Sequence, residues 1–348
     1  MRGPTLRTRL IPLSNLGYLV RVPETSPSQR RGRLLRRGAS FLVLLAVTGY
    51  LVVQYVTGSR STPGCVVVSG RADGARYEFS QEQAVNAATI AAVGTGRGLP
   101  ERAVTIALAT ALQESALRNI EYGDRDSLGL FQQRPSQGWG TQREILDPAF
   151  SAGAFYEHLV KVPRYTELPL TVAAQRVQRS GFPDAYAKHE PNAALLAAAL
   201  TGRSAATLTC QGLAGTARAT GADAVRAALL RDFGRDALQP AAAEVGRRGT
   251  APTPTAVDDG DGDGQTVVLP VPRDGGGGAG RGARERGWQL AHWAVANASD
   301  LRVTRVVYAG RQWTAGSTDS RWRTAGPAEP GGPGADGAAD SVRITTSR

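Results

Sequence analysis

The chain has little of what most catalytic chemistry requires. Its 348 residues include three histidines, His158, His189 and His292, too far apart in sequence for any metal-ligand spacing. No Gly-rich phosphate loop ends in Lys-Ser/Thr, and no Ser-x-x-Lys or Gly-x-Ser-x-Gly sets up a serine nucleophile. Metal-assisted, nucleotide-dependent and serine-hydrolase chemistry therefore lose their usual signatures, and no cofactor or metal is expected. Cysteine is equally scarce, with Cys65 and Cys210 alone. Strand-like alternation is nearly absent before Cys210, which predicts an all-α region there.

Positive charge is plentiful but unevenly placed. The formal net charge is +11, and a pI near 10.3 ordinarily suggests a nucleic-acid partner. Residues 1–37, however, hold nine arginines against Glu24 alone, so eight of the eleven net charges lie there. The remainder is only weakly basic, and a nucleic-acid partner is not expected.

Directly after the arginines comes FLVLLAVTGYLVVQYV, residues 41–56, uncharged. With its neighbours it gives a run over 39–57 that is long enough to cross a bilayer as a helix. RRGRLLRR on its N-terminal side places residues 1–38 in the cytoplasm and the rest outside. The basic region is long for a signal peptide and no Ala-x-Ala site follows, so an uncleaved single-pass anchor is the expected form. One charge-free span offers no transport pathway. A lipoprotein site at STPGC fits poorly, because Thr62 and Pro63 stand where apolar and small residues are wanted.

Both cysteines lie beyond this span, in a compartment where disulfides persist. Either they bridge, closing a long loop and bracketing a domain over 65–210, or they are two separate buried thiols. Within 65–210, Ser80 and Gln83 form a capping-box signature for a helix ending near Gly94. Pro100 opens a second helix, striped by Val104, Leu108, Ala111 and Leu112. Further helices fit 148–160, 170–178 and 191–200. Residues 211–286 read as one more helix over 222–238 and then linker, with QTVVLPV as a strand. Asp259, Asp261 and Asp263 imitate half a calcium loop, but Pro270 stands where its bidentate Glu belongs. Residues 287–323 predict a small α+β module, an amphipathic helix and a hairpin around Ala309-Gly310, with Trp288, Trp293, Trp313 and Trp322 in a core or on a binding face. Residues 324–348 read as a disordered tail.

The stretch that carries chemistry is ALQESALRNIEYGDRDSLGLFQQRPSQGWG, residues 111–140. Glu114 shares a narrow helical stripe with Ala103, Ala107 and Ala111, at the helix's C-terminal end. Apolar surroundings and the negative helix end both raise a carboxyl pKa, as a proton donor at neutral pH requires. The alternative is a solvated glutamate at a frayed helix end. Asp124 and Asp126 suit a turn. Trp139 and Tyr122 suit either sugar stacking or core. His158 falls on a helix face and reads as structural.

Glu114-Ser115 ending a helix, followed by Gly129-Leu130-Phe131-Gln132, resembles the lysozyme-like superfamily, nearest the soluble lytic transglycosylases, over roughly residues 80–200. With VQRSGFPDAYAKH later, it looks like an actinobacterial membrane-anchored subgroup. The resemblance implies peptidoglycan glycan strands as substrate and Glu114 as the catalytic acid and then base for the MurNAc–GlcNAc bond. Ser115, Gly129, Gln132, Gln133, Trp139 and Tyr186 become the substrate-binding candidates. Lysozyme-type hydrolysis usually needs a second carboxylate, for which Glu121, Asp124 and Asp126 are candidates. The transglycosylase route dispenses with it, because the sugar's own hydroxyl attacks and gives a 1,6-anhydro product. Where the family carries a Tyr-Asn pair in a late helix, AAQRVQRSGFPDAY offers Gln178 and Tyr186. The C-terminal tryptophan-rich stretch is similar to a small domain at the ends of actinobacterial cell-wall proteins. The expected fold is thus mainly α: one N-terminal transmembrane helix, an all-α lysozyme-like domain and a small α+β module. A reading from a different class is a non-catalytic envelope protein that binds glycan strands or a protein partner through the same groove.

Overall fold

The computed structural model describes residues 64–179, 183–212, 218–235, 255–258, 264–271, 282–316, 321–326 and 341–347. Along the chain these form β1 (Cys65–Val68), β2 (Arg76–Phe79), α1 (Gln81–Gly96), α2 (Glu101–Ser115), α3 (Gln142–Ile145), α4 (Pro148–Leu159), α5 (Leu170–Gln178), α6 (Glu190–Leu200), β3 (Leu208–Cys210) and α7 (Gly221–Phe233). There follow β4 (Thr255–Asp258), β5 (Gly264–Pro270), α8 (Ala283–Ala296), β6 (Val303–Tyr308), β7 (Arg311–Thr314), β8 (Arg323–Thr324) and β9 (Ser341–Ser347). Short 3-10 turns occupy Pro135–Gln137 and Pro183–His189.

The helices follow their local signals. The Gln83 N–H donates to Ser80 Oγ while the Ser80 N–H donates to Gln83 Oε1, the reciprocal capping box, and α1 runs two residues past Gly94. Pro100 caps α2, and Asp147 caps α4 by accepting from the N–H groups of Ala149 and Phe150. The α2 stripe of Ala103, Ala107 and Ala111 is fully buried, and these small side chains let α2 lie close along the alanine-rich α6.

The mainly α expectation is corrected. Two antiparallel sheets accompany the helices, ordered β2-β1-β3 and β4-β5-β9-β6-β7-β8. The first sheet lies within the region expected to be all-α. Its strands are only three or four residues long: β1 is a continuous apolar run, and the alternation of β2, Arg-Tyr-Glu-Phe, is too short to stand out. Cys65 and Cys210 are opposite each other on β1 and β3, and their sulfurs are bonded. Among the described residues no helix is long and apolar enough to cross a membrane; the run expected to do so, 39–57, lies outside them.

The C-terminal part is also larger than a helix and a hairpin. The hairpin is present, with Ala309 and Gly310 both left-handed (φ 47° and 68°), but it is one edge of a six-stranded sheet. Its interior strand β9 comes from the stretch read as a disordered tail. Val342, Ile344 and Thr346 alternate inward there, a period-2 signal outweighed in the sequence by the Gly/Pro-rich run before it. The half-calcium loop, 259–263, lies outside the described residues.

Helix α8 draws this sheet into the same core as α1 and α6. All four tryptophans named above are buried. The Trp313 and Trp322 indole N–H groups donate to the Cys210 and Leu208 carbonyls, which caps the free edge of β3. Asp232 on α7 is buried and accepts from Thr89 Oγ1 (3.2 Å), Trp293 Nε1 (2.8 Å) and Arg231 Nε (2.7 Å), tying α1, α7 and α8 together. His292, also on α8, is bonded to the Ala199 carbonyl through Nδ1 (2.8 Å) and accepts the Thr207 N–H at Nε2 (3.2 Å).

Candidate active site

Helix α2 ends where Ala116 and Leu117 turn left-handed (φ 53° and 59°). Their N–H groups cap the Leu112 and Ala111 carbonyls. Two successive non-glycine residues in this region are costly and persist only if their surroundings hold them. Helix α1 supplies the restraint: Gln83 Nε2 donates to the Ala116 carbonyl (2.8 Å) and Asn86 Nδ2 to that of Leu117 (2.8 Å). The chain is thereby turned sharply just past Glu114.

It then returns as the G-L-F-Q segment. Leu128 and Gln133 exchange backbone hydrogen bonds, closing a tight loop over 129–132. Gly129 has φ +74°, and a Cβ there would lie 2.7 Å from the Ile145 carbonyl, so both conformation and space demand glycine. Leu130 and Phe131 are buried, with Phe131 stacked on Phe155 of α4 at 4.7 Å. Ser115 Oγ donates to the Leu130 carbonyl (2.8 Å), stapling the segment to the end of α2. Gln178 Nε2, from the end of α5, donates to the Phe131 carbonyl (2.7 Å).

Glu114 is half-buried beside this staple. The Tyr186 hydroxyl donates to its Oε1 at 2.7 Å, and the Gln178 side-chain amide reaches the same carboxyl. Burial raises the Glu114 carboxyl above the usual range, against the two hydrogen bonds, which pull it back toward the ionised form. Next to it, His189 Nε2 and Gln113 Oε1 are 3.1 Å apart, so the 3-10 turn carrying Tyr186 is held to two successive residues of α2.

The other sequence candidates divide by position. Gln132 (φ 48°) is turned onto its own loop: its Nε2 donates to the Gly129 carbonyl (3.3 Å) and its Oε1 lies against Gly123. Ser115 and Gln133 are buried, their side chains bonded to backbone carbonyls, Gln133 to that of Ser151 (3.0 Å). Trp139 packs against the core with its ring tilted on that of His158, centroids 4.2 Å apart, while Tyr122 is 73% exposed. Asp126 accepts from Arg134 Nε (2.8 Å) and from the Ser136 N–H (2.9 Å), which hold its carboxyl well below the usual range and make it a clamp on its turn. Asp124 is solvated. The sequence points to Gln178 only through its place in AAQRVQRSGFPDAY and does not mark it as a binding residue. Its two partners, Phe131 and Glu114, lie 47 and 64 positions away, where no local pattern reaches. Among the described residues no group of His, Cys, Asp and Glu is arranged to hold a metal ion.

The comparisons with known proteins bear on a different part of the chain. Residues 262–335 are similar to the family described as VldE, C-terminal domain. The matched stretch takes in β5 to β8, including α8, and stops short of β9. No curated protein matches the chain.

Proposed function

We propose that the protein is a peptidoglycan lytic transglycosylase-like enzyme of the lysozyme-like superfamily, acting outside the cytoplasmic membrane with Glu114 as its single acid and base. The observation that carries this reading is the carboxyl of Glu114, raised by burial and oriented by Tyr186 and Gln178 beside the G-L-F-Q segment. The Glu114 carboxyl, held by Tyr186 at Oε1, delivers its proton to the glycosidic oxygen. As the C1–O bond breaks, the sugar's C6 hydroxyl attacks C1 and gives up its proton to the Glu114 carboxylate. Bonds and protons balance without water, and the product is a 1,6-anhydro sugar. The clamped Asp126 and the exposed Asp124 and Glu121 support a one-carboxylate route over hydrolysis.

The location rests on two features. The Cys65–Cys210 disulfide suits an oxidising compartment. The arginine-flanked apolar run over 39–57 would tether the protein with its N-terminus inside.

The test is full-length protein incubated with purified sacculi, followed by muropeptide analysis. Wild type should release anhydro-muropeptides. Glu114→Gln keeps the shape and hydrogen bonding but not the transferable proton, and release should fall by about 10²-fold or more. The variant's melting temperature should hold or rise, since a carboxyl whose ionised form is disfavoured is replaced. Reducing ends would mean hydrolysis. Undiminished cleavage by Glu114→Gln would sink the assignment, and retained glycan binding with no cleavage by wild type would favour a non-catalytic envelope protein.

A further inference from the structure

The six-stranded sheet has two unlike faces. Val267, Ile344, Val306 and Trp313 are cross-strand neighbours, all buried toward α7 and α8. The residues between them point the other way. One row across five strands reads Val268, Arg343, Val307, Gln312, Arg323. The adjacent row reads Thr266, Thr345, Arg305, Thr314. Strands β5 to β9 contain four arginines and no carboxylate, and three of the four stand on this face. Arg305 and Arg323 are exposed and Arg343 is half-buried.

We propose that this face docks a linear phosphodiester polymer, gripped by Arg305, Arg323 and Arg343 and flanked by the sheet's hydroxyl and amide groups. The inference does not depend on the Glu114 reading. Arg343 and Arg323 are three strands apart, about 14 Å at the usual strand spacing, with Arg305 in the next row between them. Such spacing suits successive charges along an extended chain better than a single compact anion. Guanidinium forks match phosphate oxygens. Arg305 Nη2 donates to Gln312 Oε1 (2.7 Å) and Gln312 Nε2 to Thr314 Oγ1 (3.2 Å), so part of the donor array is already ordered.

Two other polyanions fit the face less well. A lipid surface is best held when apolar side chains insert beside the cations. The exposed large hydrophobics among the described residues, Val68, Tyr122, Phe150, Val160, Val172 and Leu230, all lie off this sheet. Single-stranded nucleic acid is held by stacking its bases on aromatic rings. The aromatic residues of these strands, Tyr308 and Trp313, are both buried on the opposite face. What remains is recognition through the phosphates alone.

The experiment titrates full-length protein with a labelled abasic deoxyribose-phosphate oligomer over a series of salt concentrations. The N-terminal arginines contribute equally in every variant, so the difference between variants isolates the sheet. In Arg305→Gln/Arg323→Gln/Arg343→Gln, the slope of log K against log salt should shrink by about 2, at roughly 0.7 for each phosphate left unneutralised. Each exposed single variant, Arg305→Gln or Arg323→Gln, should shrink it by about 0.7, which keeps the test valid if the triple variant misfolds. Arg311→Gln, the fourth arginine of these strands, should leave it unchanged. A wild-type slope in the single and triple variants overturns the proposal. So does equal competition by poly-glutamate, or binding that the same arginines support only on phosphatidylglycerol vesicles.

Discussion

The hydroxyl of Tyr186 donates a 2.7 Å hydrogen bond to the carboxyl of Glu114, 72 residues earlier in the chain. It opposes the burial that raises that carboxyl, so the proton affinity of Glu114 is set by two contrary effects, with burial the larger.

Tyr186→Phe removes the larger of the two hydrogen bonds that oppose the effect of burial. The Glu114 carboxyl should rise further, and the alkaline limb of the kcat/KM profile for glycan cleavage should move to higher pH. Stability should fall by about 1 kcal/mol for the missing hydrogen bond. Activity measured across pH, beside a urea melt, checks both; an unmoved limb would mean that the Tyr186 hydroxyl does not tune the acid.

His292 predicts an acid-sensitive fold. It is fully buried and its pKa is pushed down to about 4 by desolvation, against an ordinary 6.5. Protonation would put a second N–H against the Thr207 N–H that Nε2 now accepts. Below pH 6.5 the unfolded chain takes up a proton that the folded one refuses, so stability falls as pH drops from about 6.5 to about 4 and is fully present above that window. The loss should be on the order of 3 kcal/mol. Urea melts at stepped pH should show this decline, and His292→Gln should flatten it; a wild-type slope in that variant would place the sensitivity elsewhere.

Ala116 is exposed and left-handed at the end of α2. Glycine adopts that conformation without the Cβ penalty, so Ala116→Gly should stabilise by about 0.5–1 kcal/mol despite the added freedom of the unfolded chain. A lower urea midpoint would show that the turn is not strained.

The disulfide joins β1 to β3 across 145 residues of sequence. Peptide mapping without reductant should recover one linked pair, Cys65 with Cys210. Replacing both with alanine should cost about 4–5 kcal/mol in the chain-entropy description. Free thiols in protein from an oxidising compartment would contradict the bridge and the proposed location together.

Most of the helices were legible in the sequence because their signals are local. Ser80 with Gln83, Pro100 and Pro148 each lie within a turn of the end they mark, and the bounds expected for α5 match those observed. The Cys65–Cys210 pairing was legible as one of two options, since a chain with two cysteines allows only one internal bridge. Glu114 and the glycine at 129 stood out because each breaks its local pattern: a carboxyl on an alanine stripe, and a turn residue before a buried Leu-Phe pair.

The two sheets and the surroundings of Glu114 were decided by tertiary structure alone. A strand of three or four residues acquires its identity from its partner, and β3 pairs with β1 across all the helices that lie between them in the chain. Strand β9 finds β5 and β6 across long, poorly patterned segments, so its short alternation could not be weighed against the composition around it. Glu114 alone does not reveal its own proton affinity. That depends on Tyr186 and Gln178, which no spacing rule connects to it and which reach the carboxyl only because α2, α5 and the 3-10 turn at 183–189 converge on one point.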